Sequence, residues 1–532
     1  MPSSSQVGAI DPVPSASFSA VKTDSRSAIV LLIGSKEALA AQQPVDRPKQ
    51  PIARQNVREA VVAFFSLISQ IDLRLLQPIR SISIMIQFSP IRNDDSGALI
   101  ATVFGPPASE TANSGPHPPG VWILATTEVW ERFSYYGMRA LLVFYMTKQL
   151  MISQADSSTI YGVYTAGVWF TPFIGGIVAD RFLGQHRAVL LGGSLMALGH
   201  FLMTFVPFFF VALGLIAVGN GLFKPNVSTQ VGDLYQPNDP RRDRGYSLFY
   251  VGVNFGAFIA PLGCGTVGEI YGWHWGFGLA AVGMVCGLAV YSYGRKWLPP
   301  DRRTVRREMV AEAHSADFKR IVALAAISLA ASLFWMIFEQ QGNVMALWAD
   351  TFTNRTLQVG SWHWTIPASW FPGLNGFFIV TLTPAVLGYW KWQSTRGREP
   401  HVLNKMAIGA LLASASYVLM IIAAFRQQST ALVSWLWLVG YFLVLTLGDL
   451  YLSPTCLSLF NKIAPGRLAS TLLGVWYMSM FIGSYLAGAS GRLWSTTAKP
   501  LYFLAMAAVG VVCALLLYIV GRTSAHSLEL RS

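Results

Sequence analysis

The sequence predicts an all-α membrane protein whose twelve transmembrane helices form two six-helix bundles. Of its 532 residues, 53% are hydrophobic and 12% are charged, about half the charged fraction of an ordinary soluble protein. From residue 120 onward the chain is a series of apolar segments, each long enough to cross the ~30 Å hydrocarbon core of a bilayer. Loops rich in Lys and Arg alternate with loops that have almost none, a pattern typical of polytopic membrane proteins.

Residues 1–115 differ from the rest of the chain, because they are rich in Ser, Pro, Ala and Gln and carry scattered charges of both signs. Their apolar runs at 28–33 and 61–68 are too short to span a bilayer. No charged segment leads into an apolar one in the manner of a signal peptide. We therefore expect a poorly ordered extension; the alternative is a mis-called start, with translation beginning near Met85.

The predicted spans follow one another from residue 121 to residue 521. Several contain Pro or Gly, which membrane helices tolerate when neighbouring groups satisfy the freed backbone. The spans are expected at 121–148, 158–179, 188–206, 208–231, 245–268, 275–298, 319–349, 369–392, 403–425, 431–460, 468–490 and 501–521.

The charges of the connecting loops predict that both termini are cytoplasmic. Basic residues cluster in the loops after the even-numbered spans, and the alternate loops are nearly bare of them. Two termini on one side of the membrane require an even number of helices, and twelve fits. The net charge of +13 is therefore explained by topology and not by nucleic-acid binding. We expect an integral, multi-pass protein of the cell (inner or plasma) membrane.

The longest loop between spans divides them into two sets of six, as in rocker-type transporters whose substrate site lies between the halves. We predict an N-terminal bundle at 116–298, a basic cytoplasmic linker at 299–318, a C-terminal bundle at 319–522 and a cytoplasmic tail at 523–532. The four cysteines have no metal-ligand spacing and are interpreted as small buried hydrophobic residues.

The first span carries charge on one helical face of an otherwise apolar segment. Charge is costly in lipid, so this face should point to a protein interior or a water-filled cavity, and it is a candidate functional site. The alternative is a salt bridge between Glu128 and Arg132 that only holds helices together. At 3.6 residues per turn, the face and its margin present Glu128, Glu131, Arg132, Tyr135, Tyr136 and Arg139.

The loop after the second span contains a glycine followed by Asp-Arg and then by another glycine and an arginine. This pattern resembles the cytoplasmic loop signature of the major facilitator superfamily. Its glycines permit a tight turn and close helix approach, and its Asp can pair with basic groups of a neighbouring helix to latch a cytoplasmic gate. The alternative is an ordinary basic loop that only sets topology. The residues of this predicted gating loop, which we do not expect to bind substrate, are Gly176, Asp180, Arg181, Gly184 and Arg187.

Three polar residues lie deep in later spans. Lys224, roughly 10 Å inside the cytoplasmic boundary by helix rise, must pair, deprotonate or meet an anionic ligand unless it snorkels to the interface. Asn254 needs either a substrate or a neighbouring helix as its hydrogen-bond partner. Glu339 is the deepest acid of the C-terminal half and could load and release a proton near neutral pH. Its alternative role is a permanent pair with Lys224 or an arginine.

The charged residues divide by sign between the two halves. Arg132, Arg139 and Lys224 of the N-terminal half could hold a carboxylate, and Glu339 and Asp449 of the C-terminal half could hold an ammonium. A cavity between the halves would suit a small zwitterion. Further candidates for its wall are Tyr135, Tyr136, Asn254, Asn375 and Trp476, of which Trp476 as a single aromatic is more often a packing residue.

Four motifs occur in order within residues ~118–522: Glu-x-x-Glu-Arg-Phe at 128–133, Phe-Tyr-x-x-x-Asn at 249–254, Phe-Glu-Gln at 338–340 and Ser453-Pro454. With these motifs the chain resembles the proton-coupled oligopeptide transporters, the POT family of the major facilitator superfamily. The resemblance implies proton coupling by Glu128, Glu131, Arg132 and Glu339. It also implies that the peptide carboxylate binds Arg139 and Lys224, and that the peptide amino end binds Asn254, Asn375 and Asp449.

The resemblance implies a proton-driven symporter of di- and tripeptides that acts as a monomer in the lipid bilayer. The proton gradient drives such a carrier, so no cofactor or metal is expected. Asp449 stands where the family usually has Glu, which shortens the side chain by one methylene. This difference supports a second hypothesis, a proton-coupled carrier of the same fold for nitrate or an amino-acid conjugate. A sensor without transport is a third hypothesis, and the sequence contains no nucleophile–base pair, metal-ligand cluster or phosphate-binding loop that would indicate an enzyme.

Overall fold

The computed structural model describes residues 115–236, 239, 241–301, 315–463 and 469–524. The predicted N-terminal extension, apart from residue 115, therefore lies outside the described residues. Most of the predicted linker and of the predicted tail also lie outside them.

Helices make up most of the described chain. A π-helical segment, Pro261–Gly265, joins the fifth helix to the sixth, and a 3₁₀ turn, Glu339–Gly342, joins the eighth to the ninth. The helices are α1 (Pro119–Phe144), α2 (Gln154–Val178), α3 (Gln185–Leu202), α4 (Phe209–Asp233), α5 (Arg241–Ala260), α6 (Thr266–Tyr271), α7 (Trp273–Gly294), α8 (Ser315–Phe338), α9 (Val344–Thr351), α10 (Gly373–Ser394), α11 (Val402–Thr430), α12 (Leu436–Ile463), α13 (Ala469–Gly491) and α14 (Lys499–Ser524).

These helices form twelve long segments in the described chain, because α5 continues into α6 and α8 into α9. Each segment overlaps one predicted span. Nine of the described segments are long and apolar enough to cross a membrane by length and composition. The remaining three are α1, which holds the charged face, α3 and α13. The prediction of a multi-pass, all-α membrane protein is confirmed.

Four short strands were not predicted. β2 (Thr356–Val359) and β3 (Trp362–Thr365) form an antiparallel hairpin, and β1 (Thr353–Asn354) pairs in parallel with β4 (Val433–Ser434). The hairpin turns at Gly360, whose φ of 62° lies in the left-handed region that glycine adopts without strain. Alternating polar and apolar side chains on both sides of a Gly-Ser pair predict a hairpin. This signal was missed because it lies in the loop between two predicted spans.

Within each half the helices pack in a few long contacts. In the N-terminal half, which we define as α1 to α7, α1 packs on α5 and α7, α3 packs on α4 and α7, and α2 packs on α4. In the C-terminal half, defined as α8 to α14, α11 packs on α12 and α14, α8 packs on α13 and α14, and α10 packs on α12. Of the four cysteines predicted to be buried, Cys264, Cys456 and Cys513 are buried in this packing, whereas Cys286 is only half-buried. All four are free thiols.

Among the described residues, the main helix contacts between the halves are those of α2 with α13 and of α5 with α10. Glycines allow their backbones to meet, since a Cβ at Gly162 would lie 2.4 Å from the Cα of Gly488 and one at Gly376 would lie 2.9 Å from the carbonyl oxygen of Asn254. Lipid supplies no hydrophobic force between membrane helices, so close van der Waals contact at small residues is what holds such pairs.

Polar contacts also join the halves at the end of the bundle where the α1–α2 loop lies. The ammonium of Lys148 pairs with Asp350 at 2.6 Å, and Ser158 of α2 donates to Asn343 at 2.9 Å. The carboxylate of Glu269 in α6 accepts the backbone N–H groups of Ala368 at 3.1 Å and Ser369 at 2.7 Å. The two halves are therefore in direct contact at this end.

We expect Gly162→Ala to destabilise the protein. The added Cβ would force α2 away from α13, and overpacking of this kind costs about 1–3 kcal/mol. Gly167→Ala is the matched control on the same helix, because a Cβ there meets nothing within 4 Å. Thermal unfolding of the purified variants in detergent measures the difference, and equal stability of the two variants would contradict the close contact.

Candidate functional site

The charged face of α1 is buried inside the protein. Glu128 and Arg132 are each 2% exposed, Glu131 is fully buried and Arg139 is 6% exposed. The face has two parts. Its first part contacts α4 of the same half, and its second part, one to two turns further along, contacts the C-terminal half.

In the first part, one guanidinium holds two carboxylates. Arg132 lies 3.3 Å from Glu128 and donates to Glu131 at 2.6 Å. It also lies 3.4 Å from the side-chain oxygen of Asn220, and Asn220 in turn donates to the carbonyl of Val168 in α2. The salt bridge between Glu128 and Arg132 exists, but it is not an isolated pair, because Glu131 shares the same arginine.

The charges in this part do not balance within α1. Two carboxylates and one guanidinium give a net charge of −1, and one oxygen of Glu128 has no hydrogen-bond partner among the described residues. An uncompensated charge is costly in a buried site. The cluster therefore needs either a proton or the positive charge of Lys224 from α4.

Lys224 is half-buried, and its ammonium lies 4.7 Å from the centre of the Trp169 ring. Within the described part of the chain it belongs to no ion pair, and the nearby carboxylates of Glu128 and Glu131 lie against Arg132. The contact with Trp169 holds the side chain against α2. It is a cation that can accept an anionic partner.

In the second part, α1 reaches the C-terminal half. The guanidinium of Arg139 pairs with the carboxylate of Glu339, and its Nε donates to the hydroxyl of Tyr161 at 2.8 Å. Tyr161, which lies on α2, is 3.5 Å from the same Glu339 oxygen. Of the two partners that the sequence left open for Glu339, the structure has the arginine.

Glu339 lies where the seventh span is broken. The 3₁₀ turn Glu339–Gly342 interrupts the span between α8 and α9, and such interruptions often mark functional hinges. A Cβ at Gly342 would lie 2.3 Å from the Tyr161 hydroxyl and 3.4 Å from Nε of Arg139. Glycine at this position therefore makes room for the contact between the halves.

The turn is held by hydrogen bonds to α13 and α2. Gln340 donates to the carbonyl of Ala487 and to the hydroxyl of Ser490, both at 2.9 Å. Asn343 accepts from Ser158 and donates to Gln340. These bonds hold Gln340 and Asn343 in place. Glu339, at the start of the same turn, pairs with Arg139.

The aromatic residues of α1 lie beside the two arginines. The guanidinium carbon of Arg132 is 5.1 Å from the ring centre of Tyr135 and 5.8 Å from that of Tyr136, and the guanidinium carbon of Arg139 is 5.8 Å from Tyr136. Tyr135 and Tyr136 thus lie between the two parts of the charged face, and their role in binding substrate stays a prediction.

The other predicted binding residues have partners within the protein. Asn254 donates to the carbonyl of Tyr250 in its own helix at 3.0 Å, and Asn375 donates to Thr446 at 3.1 Å. The carboxylate of Asp449 accepts a hydrogen bond from Ser453. The binding roles assigned to these residues stay predictions.

Trp476 is 3% exposed, and its ring lies 5.9 Å from Trp335 and 6.0 Å from Phe460. This environment favours the packing alternative for Trp476. Its role in binding substrate stays a prediction.

The residues of the predicted gating loop lie at the end of α2, in the segment that joins it to α3, and at the start of α3. Gly184 has a φ of 79°, and a Cβ there would lie 2.7 Å from an Asp301 carboxylate oxygen. That carboxylate accepts the backbone N–H of His186. The glycine is therefore required by the turn, whereas Gly176, Asp180, Arg181 and Arg187 lie half-buried or exposed on the surface.

Four residues of the site were not predicted: Tyr161, Trp169, Asn220 and Gly342. Each is uncharged and lies in an apolar span, so charge patterning does not single it out. Among the described residues, no group of three His, Cys, Asp or Glu side chains could hold a metal ion.

Comparisons with known proteins agree on one family. A family model described as PTR2, POT family, matches residues 186–303 and 301–502. The chain is 33% identical over 459 residues to the uncharacterized transporter YclF of Bacillus subtilis (strain 168), covering 74% of this chain and 92% of that protein. It is 31% identical over 474 residues to a di-/tripeptide transporter of Lactococcus lactis subsp. cremoris, covering 76% of this chain and 95% of that protein. A crystal structure of peptide transporter POT in complex with sulfate has a TM-score of 0.70 and 30% identity, covering 82% of this chain and 99% of that one.

We expect Glu339→Ala to destabilise the protein, because it leaves the Arg139 guanidinium buried without its charge partner. Breaking a buried pair in this way costs about 3–5 kcal/mol. The double variant Arg139→Ala/Glu339→Ala removes both charges, so its loss of stability should be smaller than the sum of the two single losses by about 1 kcal/mol or more.

Lys148→Ala provides the control for this experiment, because Lys148 is 45% exposed in its pair with Asp350 and exposed pairs contribute about 0–1 kcal/mol. Thermal unfolding in detergent gives the loss of stability of the two single variants, of the double variant and of Lys148→Ala. Strict additivity of the Arg139 and Glu339 losses would show that the two side chains do not interact.

Proposed function

This chain belongs to the POT family, and from that premise we propose that it is a proton-coupled symporter that imports di- and tripeptides by alternating access. The family assignment confirms the predicted resemblance, the major facilitator fold and the prediction of a transporter and not an enzyme. The single observation that supports the proton-coupled mechanism best is the buried pair of Arg139 and Glu339, which joins the two halves.

This pair can couple a proton to a peptide. Protonation of Glu339 removes its negative charge and frees the guanidinium of Arg139, which can then hold the carboxylate of a peptide in a charge-assisted hydrogen bond. In the other direction, a peptide carboxylate that binds Arg139 leaves Glu339 buried and unpaired, a state that favours its protonation. Each ligand therefore promotes the binding of the other.

The cluster around Arg132 supports a second proton site. Its two carboxylates, Glu128 and Glu131, share one guanidinium and leave one negative charge for a proton or for Lys224. When a peptide carboxylate engages Lys224, the cluster keeps its excess negative charge, and proton uptake neutralises it. Binding of peptide and of proton would then reinforce each other in this half as well.

Residues of both halves supply partners for the peptide amino end, Asn254 from the N-terminal half and Asn375 and Asp449 from the C-terminal half. Asp449, Asn254 and Asn375 offer one carboxylate and two amides, and a protonated amino group needs such acceptors. The relative from Lactococcus lactis is named a di-/tripeptide transporter, which favours peptides over nitrate or an amino-acid conjugate as the substrate. The shorter Asp449 in place of the family's usual Glu is a determinant of selectivity in this proposal.

The topology completes the proposal. Basic loops on the α2–α3 side support a cytoplasmic position for that side and for both termini. In this proposal the contacts of Lys148, Ser158 and Glu269 with the C-terminal half therefore close the outer side. The protein acts as a monomer in the cell membrane, and each cycle opens this outer contact to admit peptide and proton.

We expect the purified protein in proteoliposomes to accumulate labelled dialanine only under an inward proton gradient, and to lose the accumulation when a protonophore is added. Glu131→Gln removes a carboxylate from the proton site, and Lys224→Ala removes a cation from the carboxylate site. Each substitution should reduce gradient-driven uptake to background while the variant remains folded and monodisperse.

Asp156→Asn and Lys296→Ala are the matched controls, because both residues are exposed and lie outside the proposed site. Both should transport within about twofold of the wild type, in line with the small effects of most surface substitutions. Concentrative uptake by Glu131→Gln and Lys224→Ala would overturn their roles. A folded wild type that takes up no dialanine would favour the non-peptide carrier, and nitrate would be the first substrate to test.

We expect Asp449→Asn to raise the KM for dialanine about 10-fold or more, because a hydrogen bond to a charged group contributes about 1.5–3 kcal/mol. N-acetyl-dialanine lacks the ammonium, so the same substitution should leave its KM nearly unchanged. Asp449→Glu is the control that restores the charge. Equal effects on both peptides would rule out Asp449 as the partner of the amino group.

A further inference from the structure

The ammonium of Lys224 contacts an indole where a carboxylate would be expected. It lies 4.7 Å from the centre of the Trp169 ring, within the range of a cation–π interaction. Trp169 also stacks on Tyr477 of α13, with ring centres 6.1 Å apart and an angle of 19° between the planes. The indole is thus held at the seam between the two halves.

The residues on both sides of Trp169 are hydrogen-bonded to α4, through the backbone of Val168 and the side chain of Thr171. Asn220 donates to the carbonyl of Val168 at 3.1 Å, and Thr171 donates to the carbonyl of Ala217 at 2.7 Å. These two bonds flank Trp169 in sequence. Its side chain is therefore placed over Lys224 by the same contacts that join α2 to α4.

Small residues bring the two helices close enough for this arrangement. A Cβ at Gly175 would lie 2.1 Å from the carbonyl oxygen of Gly221, and one at Gly221 would lie 2.7 Å from Thr171. Such close approach of backbones is typical of tightly packed membrane helices. It makes the position of Trp169 relative to Lys224 a consequence of the helix contact.

An aromatic face and a carboxylate hold an ammonium in different ways. A carboxylate would neutralise Lys224 and compete with an incoming anion, whereas the ring attracts the cation without carrying a net charge. Glu128 and Glu131 are already engaged with Arg132. Lys224 is therefore fixed in position and still able to bind an anionic ligand.

We propose that Trp169 is a positioning residue, which holds the Lys224 ammonium by a cation–π contact in the place where it meets the substrate carboxylate. The inference rests on the proposed function, because it takes Lys224 as the residue that binds the carboxylate. Trp169 itself contacts Lys224 and Tyr477 and needs no contact with the substrate.

The test is a double-mutant cycle between Trp169 and Lys224, read as the Kd of dialanine in competition with a labelled peptide. Trp169→Leu should raise Kd about 10-fold, which is within the range of a desolvated cation–π contact. Trp169→Phe keeps an aromatic face and should restore Kd to within about threefold of the wild type. In a Lys224→Gln background, Trp169→Leu should add less than about twofold, because the cation on which it acts is gone.

A packing role for Trp169 predicts a different pattern. Trp169→Leu would then weaken binding by the same factor in the wild type and in the Lys224→Gln background, and this additivity would overturn the proposal. The maximal transport rate provides a second criterion. A positioning residue changes KM with the maximal rate within about twofold, whereas misfolding lowers the amount of active protein and hence the maximal rate.

A second measurement needs no substrate and separates this inference from the proposed function. Acetic anhydride labelling followed by mass spectrometry gives the rate of acetylation of Lys224 relative to the exposed Lys296. Loss of the covering indole in Trp169→Leu should raise this relative rate about threefold or more, and Trp169→Phe should not raise it. Unchanged labelling of Lys224 in Trp169→Leu would overturn the inference even if the wild type transports peptides. If the labelling of Lys224 depends on the indole but the wild type binds no peptide, only the proposed function is overturned.

Discussion

The structure depends on the requirement that every charge buried in the membrane be compensated inside the protein. Lipid offers no water to solvate the four charged residues of α1, so each must find a partner on another helix or on its own. Arg132 finds two acids on the same helix, and Arg139 finds Glu339 on the other half of the chain. The second solution makes the contact between the halves part of the electrostatic balance, because separating them leaves a charge unpaired.

Glycines allow the close packing that brings these charges together. The halves meet closely at Gly162 and Gly488, and Gly342 leaves the space in which Tyr161 and Arg139 approach the broken turn. A side chain at any of these positions would lie within the contact distance of a backbone or of a charged group. The small residues and the charged residues are therefore parts of one arrangement, in which close backbone contact brings buried charges within bonding distance.

The spans could be predicted from the sequence because bilayer thickness sets the length of an apolar segment, and the face of α1 could be predicted because helical periodicity sets it. Periodicity assigns a residue to a face but does not identify its partner. Glu339 and Arg139 are 200 residues apart, so the sequence left both Lys224 and an arginine as alternatives for the partner of Glu339. Tyr161 and Asn220 were missed for a related reason, since a single polar residue in an apolar span gains meaning only from the charge placed beside it.

The three cations of the N-terminal half differ in how firmly they are held, and this difference gives the proposed cycle an order. Arg132 is bound by two carboxylates and Arg139 by one, whereas Lys224 is held by an uncharged ring. A peptide carboxylate can bind Lys224 without displacing an acid, but it can bind Arg139 only after the ion pair between Arg139 and Glu339 has broken. Lys224 would thus capture the peptide first, and protonation of Glu339 would transfer the carboxylate to Arg139. In that second step the ion pair between Arg139 and Glu339, the only one that the described residues form between α1 and the broken turn, would be lost. A single proton would then complete the peptide site and remove one of the contacts between the halves.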